Sequence, residues 1–177
     1  MKKILFSLFA FCISIGLSAQ AESADEALPD FEKMDNSAVS IVDAYTELEP
    51  QLLDDIDWLN YTPVNDRKEL RAEKYRFVLM WITGSPTVSI KIDDRIMKFT
   101  GAEPWLLFAY MTGWTKYSLE HNYENDPVTC TVAGITNAVG FYKRNRDHLY
   151  RNKDMDRFSK MIDENSLESY VRIILAS

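Results

Sequence analysis

His121 has Glu120 beside it and Glu124 three positions further on, and this is the spacing in the chain that most resembles a reactive centre. An H-x-x-E pattern sets an imidazole and a carboxylate on one helical turn, where they can share a metal ion or act together in acid–base catalysis. The only other histidine is His148, and no second pattern of this kind supplies further ligands, so neither a metal nor any other cofactor is expected. A hydrolase using His121 with Glu120 or Glu124 is the catalytic alternative. The simpler account is that a helix runs into a polar loop there, where His and Glu are ordinary solvated residues.

A different chemistry is offered by residues 143–153, KRNRDHLYRNK. Lys143, Arg144, Arg146 and Arg151 gather positive charge in an acidic chain and could hold a phosphate, sulfate or carboxylate. The competing account is that basic residues near a helix C-terminus offset its dipole and need no ligand. Nine Trp and Tyr residues fall between Trp58 and Tyr123. At helical spacing most belong in a core, but Tyr61 and Tyr123, each next to an asparagine in a predicted loop, are expected at the surface as binding platforms.

Other reactive residue types have structural explanations. Cys130 lies near a predicted helix start, where a dipole can lower a thiol pKa, but with no nearby His it reads as a small core hydrophobe. Ser85 sits in Gly84-Ser85-Pro86, which lacks the glycine that a nucleophile elbow requires. The acidic groups Asp54, Asp55 and Asp57, and Asp93 with Asp94, lack the glycine and terminal glutamate of a calcium loop.

These residues must be positioned by helices. The stretch Glu103 to Leu119, EPWLLFAYMTGWTKYSL, leaves almost no polar face and predicts a central buried helix, with Pro104 in its first turn. Its apolar run, Trp105 to Met111, is far shorter than the ~20 residues needed to cross a bilayer, so other helices of the chain must cover it. Before it, Met34, Ala38, Ile41, Tyr45 and Leu48 predict an amphipathic helix ending before Pro50. Leu52, Leu53, Ile56 and Leu59 predict a second, starting at Glu49-Pro50 and leaving at residues 60–63. Asp66 with Glu69 resembles a capping box for a third, from Arg67 to Thr83.

Residues 87–92 alternate apolar and polar side chains. They predict an extended segment, followed by a short helix from Asp93 to Phe99. Asp126-Pro127 predicts an N-cap and first turn for the next helix, whose Ala133, Gly134, Ala138 and Gly140 suggest close approach to the central helix near Gly113. Two final helices are predicted, Asp154 to Asp163 and Leu167 to Leu175, the second capped by Ser166. The expected fold is all-α, a single helical domain of six to seven helices with one short extended segment.

The beginning of the chain carries an address. Lys2 and Lys3, the apolar run from Ile4 to Gly16, and Ala19-Gln20-Ala21 form the pattern of a signal peptide cleaved after Ala21. Residues 1–21 are thus expected to be a signal peptide, 22–30 a flexible acidic leader, and 31–177 the helical domain, in a periplasmic or secreted protein without a transmembrane segment in its mature form. Of 177 residues, 20 are basic and 27 acidic. Losing Lys2 and Lys3 leaves 18 against 27, a charge of -9 that disfavours nucleic acid as a partner. Cys130 would then be the only cysteine, so packing rather than a disulfide must hold the fold.

With no catalytic motif in view, these features predict an exported helical protein that acts by binding an unknown protein or small ligand. The hydrolase is one alternative. A bundle enclosing an apolar ligand, with Met80, Met97 and Met111 as its lining, is the other.

Overall fold

The computed structural model describes residues 38–101 and 103–177. The expected signal peptide, the acidic leader and the start of the first helix with Met34 lie outside the described residues. Seven α-helices, and no strand, are found among those described: α1 (Ala38–Glu47), α2 (Glu49–Tyr61), α3 (Lys68–Gly84), α4 (Pro104–Glu120), α5 (Pro127–Arg144), α6 (Lys153–Asp163) and α7 (Leu167–Ala176). The all-α expectation holds.

Pro104 opens α4 as the sequence requires, and the helix is the centre of the packing. Leu106 and Ala109 are fully buried, and Tyr110 and Trp114 nearly so. The most extensive helix pair is α4 with α5. Where they cross, a Cβ added to Gly113 would lie 2.5 Å from the Cβ of Asn137 and 3.0 Å from the carbonyl oxygen of Ala133, so this approach tolerates no side chain. Asp126 starts α5 as expected, its carboxylate accepting from the Thr129 amide at 2.8 Å.

Around this pair, Trp81 of α3 is fully buried and donates its indole N–H to the Tyr45 carbonyl at 3.1 Å, tying α1 to α3. Phe158 of α6 meets Phe99 edge-on at 5.8 Å and Tyr170 of α7 at 5.9 Å. The C-terminal helix is therefore docked, as its apolar stripe predicted.

The structure departs from local expectations at four points. The capping box at Asp66 and Glu69 does not form. Arg67 precedes α3 in the left-handed region, at φ 44°, with no side-chain cap. Residues 87–92 form neither strand nor helix, because no second strand exists among the described residues to pair with. The segment is pinned individually instead: the Ser85 hydroxyl accepts from the Thr87 and Val88 amides, and the Lys91 carbonyl accepts from the Tyr110 hydroxyl at 3.0 Å. The short helix expected from Asp93 is a turn followed by a single 3-10 turn, Met97–Thr100. Ser166 does not cap α7; its hydroxyl lies 3.3 Å from the Met161 carbonyl of the preceding helix.

Candidate functional site

Two residues singled out from the sequence, Tyr61 and Arg144, meet at the end of α2. Tyr61, the last residue of that helix, is 68% exposed. The guanidinium of Arg144, the last residue of α5, lies 4.6 Å from the Tyr61 ring centroid. Its Nε donates to the Asn60 carbonyl at 3.0 Å, which fixes the plane of the fork while both terminal nitrogens lack a hydrogen-bond partner among the described residues. No ion pair among the described residues includes Arg144. Burial draws its pKa below the ordinary arginine value, against a smaller opposing effect of Tyr61.

The pair stands at one end of a groove of about 560 Å³ between α4 and α5. The groove exists because the two helices meet through small residues: Ala133 and Gly140 of α5 line it, so nothing fills the trough above the crossing. Asn137 fixes three elements at once. Its amide nitrogen lies 2.7 Å from the Ala109 carbonyl, 3.3 Å from Thr112 Oγ1 and 3.3 Å from Asn60 Oδ1. This network holds Asn60, whose carbonyl in turn orients Arg144.

Lys116 of α4 lines the same groove but is already matched, with Asp57 Oδ1 at 2.5 Å and Glu120 Oε1 at 3.6 Å. Burial pulls the Lys116 pKa down, but the hydrogen bond and charge of Asp57, with Glu120 behind them, outweigh it and hold the value above the ordinary lysine range. The uncompensated positive charge of the groove therefore sits at the Arg144 end.

The other sequence candidates are dispersed. His121 stacks on Tyr117, rings 3.9 Å apart and 15° from parallel, with Nδ1 2.8 Å from the Tyr117 carbonyl. Glu120 pairs with Lys116, and Glu124 Oε1 accepts from the amides of Asn125 and Asp126 at 2.8 and 2.9 Å. No ion pair among the described residues joins either carboxylate to the imidazole.

The basic stretch is divided. Its first two residues complete α5, and only Arg144 reaches Tyr61. Lys143 and Arg146 line a separate cleft of about 350 Å³, with Arg146 4.9 Å over the Tyr142 ring, and Arg151 Nε lies 3.4 Å from Asp156 Oδ2. Tyr123, 39% exposed, donates its hydroxyl to the Glu49 carboxylate at 3.1 Å. Cys130 is fully buried and its thiol points to the Glu124 carbonyl. Burial, with the nearby charges of Glu124 and Asp126, pushes its pKa up to about 11.

Sequence reasoning missed Lys116 and Asn60, and considered Asp57 only as part of a calcium loop. Lys116 was absorbed into a helix read as having almost no polar face; its place three residues after Gly113 was the sign that one strip of that helix faces outward. Asn60 was read as the exit of α2, and its carbonyl bond to a residue 84 positions away has no local signal. Among the described residues, no three His, Cys, Asp or Glu side chains cluster as a metal site, and no helix is long and apolar enough to cross a membrane. No protein-family model matches the chain, and comparison with curated proteins and with solved structures finds no match to either.

Proposed function

We propose that this chain is an exported, non-catalytic binding protein that takes a small polar ligand, carrying an anionic group and a flat ring face, in the groove at Tyr61 and Arg144. A sugar acid is the class that meets both requirements. The carrying observation is the fixed Arg144 fork, packed on Tyr61 and anchored through Nε, with two terminal nitrogens left for an acceptor. Such a fork suits a carboxylate or phosphate, which it engages through two parallel hydrogen bonds. The highly exposed Tyr61 ring offers surface on which a sugar can stack. The volume, about 560 Å³, falls within the range of small-molecule sites. Support for export is the charge and hydropathy pattern of residues 1–21.

Calorimetric titration of the folded protein with glucuronate, glucose and inorganic phosphate tests the reading. Glucuronate should bind most tightly, Arg144→Gln should abolish the signal, and Tyr61→Ala should weaken it while leaving phosphate binding in place. No heat and no thermal shift with any of the three, or unchanged binding in Arg144→Gln, would defeat it.

A further inference from the structure

Arg71 stands in the second turn of α3 and is 97% buried, being only 3% exposed. Its terminal nitrogens donate to the carbonyls of Leu59 at 3.1 Å, Thr62 at 2.5 Å and Pro63 at 3.1 Å, which ties off the end of α2. Two indoles flank the guanidinium, that of Trp58 at 5.3 Å and that of Trp105 at 6.0 Å. Carbonyls and indoles supply dipoles, and the charge of Asp66 favours the cation by less than burial disfavours it, but no ion pair among the described residues includes it. Its Nε–H is buried without an acceptor. A buried charge left in this condition is costly, and its presence calls for explanation.

The explanation lies in what covers it. Arg71 forms part of the wall of a groove of about 590 Å³, which shares no lining residue with the Tyr61–Arg144 groove. Val64, Ala72, Leu79, Tyr75 and Trp105 give this groove an apolar surface. Tyr75 stands edge-on to Trp105 at 5.6 Å and packs 4.4 Å from Phe108, so the aromatic wall is braced from behind. The remaining lining residues, Lys68 and Arg76, are exposed cations two helical turns apart on the stripe that also carries Ala72. Three cations and no carboxylate line one groove in a chain with more acidic than basic residues. That imbalance selects a negatively charged occupant, and the apolar surface selects one with a hydrophobic body.

We propose that this groove binds an amphiphilic monoanion, a carboxylate joined to an apolar chain or ring. Lys68 and Arg76 hold the head above the buried charge of Arg71, and Val64, Leu79, Tyr75 and Trp105 receive the body. The site goes beyond the sugar-acid reading and does not depend on it.

Tryptophan fluorescence reports the site directly, because Trp105 lines it and Trp58 lies against Arg71. Decanoate should shift the emission saturably, while acetate, lacking the body, and decanol, lacking the charge, should bind at least about tenfold more weakly. Lys68→Glu with Arg76→Glu should weaken decanoate by about tenfold or more with the circular dichroism spectrum unchanged, and Arg144→Gln should bind decanoate like the wild type. If the double variant fails to fold, Arg76→Gln and the salt dependence of wild-type binding read the same charge, and affinity that does not fall with salt overturns the proposal. No saturable binding of decanoate, equal binding of decanol, or an unaffected charge variant also overturns it. So does sedimentation with phosphatidylglycerol vesicles without binding of free decanoate, which would assign this face to a membrane surface.

Discussion

Gly134 of α5 faces the ring of Tyr110 of α4 so closely that a Cβ on the glycine would stand 2.6 Å from Cδ2 of the tyrosine and 2.9 Å from its carbonyl oxygen. Tyr110 has little freedom to yield, since it is 1% exposed and its hydroxyl donates to the Lys91 carbonyl at 3.0 Å. Gly134→Ala gains about 1 kcal/mol of helix propensity, but overpacking at such a contact costs about 1–3 kcal/mol. Thermal melts should show Gly134→Ala less stable than the wild type. An equal or higher melting temperature would mean that the helices can separate without loss.

Asp126 should show its capping role in acid. Hydrogen bonds from the Thr129 hydroxyl and the Thr129 amide hold its carboxyl below the ordinary aspartate value. A depressed folded pKa contributes stability that is whole above the unfolded value, near 3.8, and is lost as pH falls through the lower folded value. Asp126→Ala should cost about 1 kcal/mol at neutral pH. In urea denaturation across pH, Asp126→Asn should keep most of the cap and lose this acid-dependent part.

The same helix start was legible in the sequence for the reason that makes it stable: Asp126-Pro127 is a local signal, complete within one turn. Pro104, Pro127 and the apolar stripes of α6 and α7 were legible on the same grounds. Arg67 was not, because its left-handed backbone is set by the tight reversal between α2 and α3 rather than by its own residue type. The fate of residues 87–92 turned on a strand partner that no residue in the segment can announce. Of the groove, Tyr61 and Arg144 were visible as types, but their meeting was not. It depends on α5 continuing through Lys143 and Arg144, which brings its last residue beside the end of α2. Arg71 was hidden because nothing local distinguishes it from Lys68, Glu69, Glu73 and Lys74, the charged residues around it.

Cys130 should be unreactive in the folded protein. It is fully buried and its thiol pKa stands at about 11, so little thiolate exists at pH 8 and none of it is accessible. In a Cys12→Ser variant, where Cys130 is the only thiol, Ellman's reagent should react at once in denaturant and only at the rate of unfolding without it. Rapid labelling of the native protein would show that α5 opens locally near its start.

Lys116 should respond at the alkaline end. Its folded pKa is raised above 10.5, so the stability it gains from Asp57 and Glu120 is whole below that value and disappears as pH rises through the folded one. Lys116→Met should flatten this part of the alkaline stability profile. Asp57→Asn removes the principal counter-charge of Lys116 beside the groove, and should tighten glucuronate binding by about threefold, roughly the worth of a weak surface pair.

The core pair α4 and α5 is joined by only the six residues from His121 to Asp126. Its most extensive burial is therefore also among its most local, and loop closure over so short a span carries little entropic penalty. Collapse can start from this hairpin, with α6 and α7 following in chain order, while α1 must wait for Trp81 to be in place. A nucleus of this kind predicts fast folding with high φ-values at Ala109, Ile135 and Ala138 and low ones at Tyr45. The glycines that bring α4 and α5 together would then govern how quickly the protein is made as well as how long it lasts.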